Sequence, residues 1–218
     1  MTSRIDEITL SNLLPRVFAR EEIPSSRIWR SETTLRRGKR YLVESASGGG
    51  KSSLAAFLTG SRRDYEGSIL FNGTDTRTID TDEWQDIRRS HLAYLPQDLS
   101  LFAELPAIDN ILLKAGLTGK PDMERIDGWM RRLGIESRRD YPAGRLSIGQ
   151  QQRVALIRSL CQPFDFILLD EPVSHLDDDN NRIAARIVEE EAARQDAGII
   201  VFSVGNPLKI ENPEILKL

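Results

Sequence analysis

The residues that could do chemistry fall in a few short groups. Gly48, Gly49 and Gly50 run directly into Lys51-Ser52-Ser53, after the apolar triplet Tyr41, Leu42 and Val43 and before the apolar run Leu54 to Leu58. A strand, a glycine turn and a helix start, in that order, aim several backbone N–H groups and a helix N-terminus at one point, which suits a polyphosphate. Lys51 would reach the β- and γ-phosphates, and the Ser52 hydroxyl would bind Mg²⁺. The pattern G-x-x-x-x-G-K-[ST] is met except at its first place, where Ser45 stands for glycine. The plainer alternative is a glycine-rich turn before an ordinary helix.

A second group closes an apolar strand. Phe164-Asp-Phe-Ile-Leu-Leu runs into Asp170-Glu171-Pro172, and at the C-terminal edge of a parallel sheet such carboxylates border the ligand crevice. Asp170 would hold Mg²⁺, largely through water, and Glu171 would orient and polarise an attacking water. A buried strand meeting a polar turn explains the same residues without chemistry. Leu146-Ser147-Ile148-Gly149-Gln150 offers a hydroxyl and backbone N–H groups to an anion at a helix start, or simply caps that helix. Gln97 follows Leu95-Pro96, and Ser174-His175-Leu176-Asp177 follows the carboxylates. Taken alone, the one reads as a solvated side chain and the other as a loop with a helix cap.

The elements that must position these groups can be read from periodicity. Apolar strands are expected at 41–43, 91–95, 164–169 and 198–202, alternating with helices at 52–59, 147–161 and 181–193, which implies a mostly parallel sheet covered on both faces. Residues 4–10 and 27–35 alternate loosely as half-exposed antiparallel strands, separated by a loop with Pro15, Phe18 and Pro24. Gly67–Gly73 reads as an edge strand ending in an Asn-Gly turn, and 82–90 as a short helix capped by Thr81 or Asp82. Between 99 and about 145 the pattern becomes helical, at Ala107–Ala115 and Met123–Leu133, broken by Gly116, Gly119 and Pro121.

Composition limits the setting. The 218 residues are 39% hydrophobic and 29% charged, ordinary for a globular chain with room for a core. No run approaches the ~18 apolar residues of a membrane span. Met-Thr-Ser-Arg-Ile-Asp-Glu lacks an apolar signal core, so export is not expected. The single cysteine, Cys161, fits a reducing cytosol. Arginine pairs such as Arg62-Arg63 and Arg138-Arg139 could form a nucleic-acid surface. With a net charge of −3 and no interleaved aromatics, solvated surface or a protein interface explains them better.

Together, Lys51-Ser52, Gln97, Ser147–Gln150, Asp170-Glu171 and Ser174–Asp177 occur in an order and spacing that resemble the ATP-binding cassette (ABC) ATPases over nearly the whole chain. The resemblance implies an α/β P-loop NTPase of RecA-like type, with a mostly parallel core, an N-terminal antiparallel β subdomain and a helical insert. It would be a single cassette over 1–218, with its ATP-binding core in 1–97 and 146–218 and its helical subdomain in 98–145. The family's Walker A loop falls on Ser45, Ser47, Gly48, Gly49, Gly50, Lys51, Ser52 and Ser53. Its Q-loop falls on Gln97, its signature on Ser147, Gly149 and Gln150, its Walker B on Phe166–Asp170 with catalytic Glu171, and its D-loop on Asp177. The catalytic set is then Glu171, Gln97 and Lys51, and the Mg²⁺ set Ser52, Gln97 and Asp170. An aromatic from the N-terminal β region, Phe18 in preference to Trp29, would stack on adenine. The Leu-Ser-x-Gly-Gln-Gln-Gln-Arg run is similar to the lipoprotein-releasing, macrolide-export and cell-division cassettes.

Such a cassette is expected to pair head to tail with a second, identical ATPase subunit, and to serve a separate integral membrane permease from the cytoplasmic face, with no direct nucleic-acid partner. One departure bears on mechanism. The family places a histidine after the last core strand, and here that place is Val204 in Phe202-Ser203-Val204-Gly205-Asn206. Either Glu171 suffices, with Ser203 or Asn206 touching phosphate, or ATP binding signals with little hydrolysis, as in a regulatory cassette. Since Glu171 and Ser147 are kept, an active but slow ATPase is favoured. Ribosome- or DNA-acting cassettes join two cassettes or carry a long coiled coil, which this sequence lacks. Another P-loop enzyme would leave Ser147–Gln150 unexplained.

Overall fold

In the computed structural model, which describes residues 4–19, 25–46 and 48–218, nine strands and six α-helices form two sheets and their covering helices. The strands are β1 (Glu7–Pro15), β2 (Glu32–Arg36), β3 (Arg40–Glu44), β4 (Tyr65–Phe71), β5 (Thr74–Asp75), β6 (Leu92–Leu95), β7 (Phe166–Asp170), β8 (Gly198–Ser203) and β9 (Glu214–Lys217). The helices are α1 (Lys51–Leu58), α2 (Thr81–Ser90), α3 (Ala107–Ala115), α4 (Met123–Arg132), α5 (Ile148–Leu160) and α6 (Asp178–Gln195).

The central sheet has the order β6-β7-β8-β3-β9, and each of its pairings is parallel. Its strands are apolar without interruption because both faces are buried. Alternate residues serve different cores. Ile167, Leu169, Ile199, Val201 and Leu42 face the layer of α3, α4, α5 and α6. Phe166, Leu168, Ile200, Phe202 and Val43 face α1, α2 and the antiparallel sheet β2-β1-β4-β5. Each fully buried Phe or Leu contributes about 1.5–3 kcal/mol of transfer free energy, so these two faces fix the strand register.

Several boundaries differ from the sequence reading, each for a local reason. β1 runs on to Pro15, because Leu13 and Leu14 are buried in the same core as Ile8 and Leu10. The segment 27–31 turns instead of forming strand and places Trp29 in the core at 3% exposure. Asp80, not Thr81 or Asp82, caps α2: its carboxylate accepts from Glu83 N at 2.8 Å, while Glu83 Oε2 accepts from Asp80 N at 3.3 Å. This reciprocal box satisfies two orphan amides. Asp177 likewise caps α6 by accepting from Asn180 N at 2.8 Å, so that helix starts three residues earlier than its apolar face suggests. β9 was not expected at all. Only Leu216 of its four residues is buried, and it pairs with β3 from far along the chain. No helix among the described residues is long and apolar enough to cross a membrane.

Candidate active site

Parallel strands carry their functional residues at one edge. The loop 45–50 follows β3, Gln97 follows β6, Glu171 follows β7 and Val204 follows β8. These loops enclose a cleft of about 260 Å³ lined by Gly48, Gly50, Lys51, Ser52, Ser53, Gln97, Glu171 and Val204. A contiguous hollow, also bounded by Ser52 and Gln97, reaches Tyr94 and Asp170. The structure thus gathers into one place residues that the sequence scatters over more than 150 positions.

The phosphate loop is held from below by aromatics. Trp29 Nε1 donates to Gly49 O at 3.1 Å. Gly50, at φ +94°, starts α1, and a Cβ there would lie 2.9 Å from Trp29 and 3.0 Å from Phe18. Trp29 is therefore consumed as a support, while Phe18 lies half-buried beside the loop. Ser45, in place of glycine, is not among the described residues with positive φ. Its side chain instead fills the space where a Cβ on Gly49 would stand, and its hydroxyl donates to Ala46 O at 2.9 Å. Lys51 is buried, and Nζ donates to Ser45 O and Ala46 O, both at 3.2 Å. Ser47 lies outside the described residues.

Across the cleft, Ser52 Oγ donates to Asp170 Oδ2 at 3.3 Å. Asp170 is 1% exposed, and burial raises its pKa; the Ser52 hydrogen bond and Lys51 oppose the rise, and Glu171 adds to it. Among the described residues Asp170 Oδ1, Glu171 Oε1 and Ser203 Oγ are buried without a hydrogen-bond partner. Buried polar atoms are rarely left so without a functional reason. The unpartnered Asp170 oxygen beside the Ser52 hydroxyl and the exposed Gln97 amide forms a hard, all-oxygen donor set, which fits Mg²⁺ with its remaining places taken by phosphate and water, while the free Glu171 oxygen is left for a water.

The signature residues stand apart from this cleft. Ser147 caps α5: its Oγ accepts from Gln150 N at 3.3 Å, and Gln150 Oε1 accepts from Ser147 N at 3.0 Å. Ser147 is exposed and belongs to neither hollow, so one chain presents Lys51 and Ser147 on separate surfaces. A Cβ on Gly149 would lie 2.9 Å from His175 O, so glycine lets α5 approach the loop that ends at Asp177. Neither histidine enters the cleft lining. His91 Nδ1 lies 2.6 Å from Asp165 before β6, and His175 Nδ1 lies 3.0 Å from Ser174 Oγ. Val204 is 53% exposed and lines the cleft at the place noted in the sequence. Asn206 Oδ1 accepts from Asn181 Nδ2 at 3.5 Å, and neither Asn206 nor the buried Ser203 belongs to the cleft lining.

Sequence reasoning missed Gln152, which is 2% exposed and bonds the loop after β7. Its spacing of three from Gly149 places both on one face of α5 and was the available signal.

This architecture and this cleft define a phosphate-loop nucleotide-binding cassette. A family model described as ABC transporter matches residues 30–174. The chain belongs to the ABC transporter family, as an ATP-binding ATPase cassette. It is 36% identical over 160 residues, 72% of this chain, to the macrolide export ATP-binding/permease protein MacB of Shewanella sp. (strain W3-18-1). It is 37% identical over 173 residues, 78% of this chain, to MacB of Rhodopseudomonas palustris (strain BisB18). The chain spans about a quarter of the length of these relatives, 25% and 26% respectively. Among solved structures, a dimeric structure of MJ0796, a bacterial ABC transporter cassette, superposes with a TM-score of 0.76 at 24% identity, covering 90% of this chain and 87% of that one. A dimeric post-hydrolysis state of the same cassette with ADP and Pi gives 0.74 at 21% identity, over 91% of this chain and 88% of that one.

Proposed function

We propose that this chain binds ATP and Mg²⁺ between two head-to-tail copies of itself and hydrolyses the nucleotide to drive a separate membrane-spanning permease from the cytoplasmic face. The observation that carries the reading is the convergence of Lys51, Ser52, Gln97 and Glu171 on one cleft, with Asp170 beside it. Because Ser147 projects elsewhere, a complete phosphate site needs Lys51 of one copy and Ser147 and Gly149 of another. ATP then favours the closed pair by mass action. Phe18 provides an aromatic edge for adenine. Ser52 and Asp170 would hold the metal, with Gln97 facing it; when bound, the ion neutralises charge on the transferring phosphoryl group. Glu171 orients and polarises the attacking water. The segment 98–145, with its exposed Phe102, Leu113 and Leu117, would be the helical subdomain on which the permease docks. The dimeric cassette neighbours and the relatives' ATP-binding/permease name support the pairing and the transport role.

A second reading follows from Val204, which puts an apolar side chain where a histidine would meet the γ-phosphate: a regulatory cassette with weak or no hydrolysis. Steady-state ATP turnover of wild type, Glu171→Gln and Val204→His, measured with the partner present, separates the two. Active hydrolysis predicts a loss of about 10²–10⁴-fold in Glu171→Gln and a gain in Val204→His. Equal rates for wild type and Glu171→Gln would end the active reading in favour of the regulatory one.

A further inference from the structure

Glu171 has a left-handed backbone, φ +51°, a conformation that costs free energy in a non-glycine residue. Its amide is held by Phe202 O at 3.0 Å, and its carbonyl accepts from Gln152 Nε2 at 3.1 Å. The same Nε2 donates to Ser174 Oγ at 2.8 Å, and Gln152 Oε1 accepts from His175 N at 3.1 Å. One buried amide from the second turn of α5 therefore grips the segment 171–175 at three points. Gly149, one turn earlier on the same face, lets the His175 carbonyl lie against the helix. These contacts are made by backbone and by a side chain remote from the cleft lining, so they set where Glu171 points without touching nucleotide.

We infer that Gln152 is a positioning residue for the hydrolytic reaction, holding Glu171 in its left-handed conformation through hydrogen bonds from α5. The inference rests on Glu171 acting on the attacking water, as proposed above. A carboxylate displaced by about 1 Å can lose about 10²-fold in rate while ground-state binding survives. Gln152→Met keeps the volume and removes all three hydrogen bonds. It is expected to lower kcat by at least about tenfold, with KM within about twofold and one nucleotide still bound per chain. It should add little to the loss already caused by Glu171→Gln. Ser159→Ala, which removes a hydroxyl bonded only to Leu156 O on the same helix, should leave kcat unchanged.

Gln152→Glu keeps the acceptor for His175 but has no donor for Glu171 when ionised. Its rate should recover relative to wild type as pH falls and the carboxyl regains an O–H, a profile that lost packing would not produce. Amide exchange in Gln152→Met should quicken over 171–177 and not over 148–160. That readout needs no turnover, so a wild type without hydrolysis defeats the hydrolytic reading while the exchange pattern still decides whether Gln152 holds Glu171. The inference is overturned if Gln152→Met keeps kcat within about threefold, if Gln152→Glu parallels wild type at every pH, or if exchange over 171–177 does not change.

Discussion

Two glycines of the phosphate loop allow its stability to be divided into separate causes. Gly48 and Gly50 both have left-handed backbones, at φ +83° and +94°. A Cβ on Gly48 would meet nothing within 4 Å, whereas one on Gly50 would lie 2.9 Å from Trp29 and 3.0 Å from Phe18. Gly48→Ala therefore pays only the backbone term, about 1–2 kcal/mol. Gly50→Ala pays this and a further overpacking cost of about 1–3 kcal/mol, because Trp29 is buried and tied to Gly49 O. The expected total is about 2–5 kcal/mol. Gly205→Ala, with no steric neighbour within 4 Å and no positive φ, should stay within about 0.5 kcal/mol of wild type. Urea unfolding of the four proteins, with nucleotide removed and a common m-value, gives the comparison directly. If Gly50→Ala proves no less stable than Gly48→Ala, the packing of Trp29 and Phe18 against the loop is not what the geometry says it is.

Asp170→Asn should separate stability from function. Burial raises the pKa of Asp170, so the folded state holds this proton to higher pH than the unfolded state does, and ionising the group weakens folding as pH rises through that interval. Near neutral pH the amide should make the nucleotide-free protein more stable, an advantage that fades as pH falls towards about 4, where the unfolded carboxyl is itself protonated. The same change should abolish Mg²⁺-dependent turnover; urea midpoints against pH that run parallel for the two proteins would refute the burial argument. Phe18→Ala should weaken ATP binding by about 5–10-fold, in line with about 1–1.5 kcal/mol for an aromatic contact. Titration calorimetry with ATP and with inorganic triphosphate reads this, and a loss shared by both ligands would assign Phe18 to loop support and not to the base.

Much of this was legible because the cleft lies at strand ends. An unbroken apolar strand announces itself in sequence, and the residue just past its end is then placed at the cleft: Gln97 after Leu92–Leu95, Glu171 after Phe166–Asp170, Val204 after Gly198–Ser203. What stayed hidden depends on partners distant in the chain. β9 has one buried residue and no local signal, and exists because β3 offers it a parallel edge. Trp29 looked like part of an alternating strand, yet it supports Gly49. Asp80 could have been found from its spacing to Glu83, a missed feature with a purely local code.

The helix α5 shows why the site cannot be understood loop by loop. Ser147 caps its start, Gln152 grips the Glu171 segment, and Arg158, about 16 Å along the axis from the cap, donates to Ser100 O at 2.7 Å and Leu99 O at 2.5 Å. Leu99 and Ser100, just beyond Gln97, are consecutive non-glycine residues with φ of +60° and +45°. Each costs on the order of 1–3 kcal/mol in that conformation, and the guanidinium bonds the very carbonyls that this conformation turns towards it. A helix does not stretch, so its three attachments hold their spacing unless hydrogen bonds break. Under the proposed pairing, movement of Ser147 against a partner's phosphate would therefore be shared with the Glu171 segment and with the loop after Gln97. The rigidity of this one element, added to the cleft that Gln97 and Glu171 already share, would make signature, carboxylate and glutamine loop respond together.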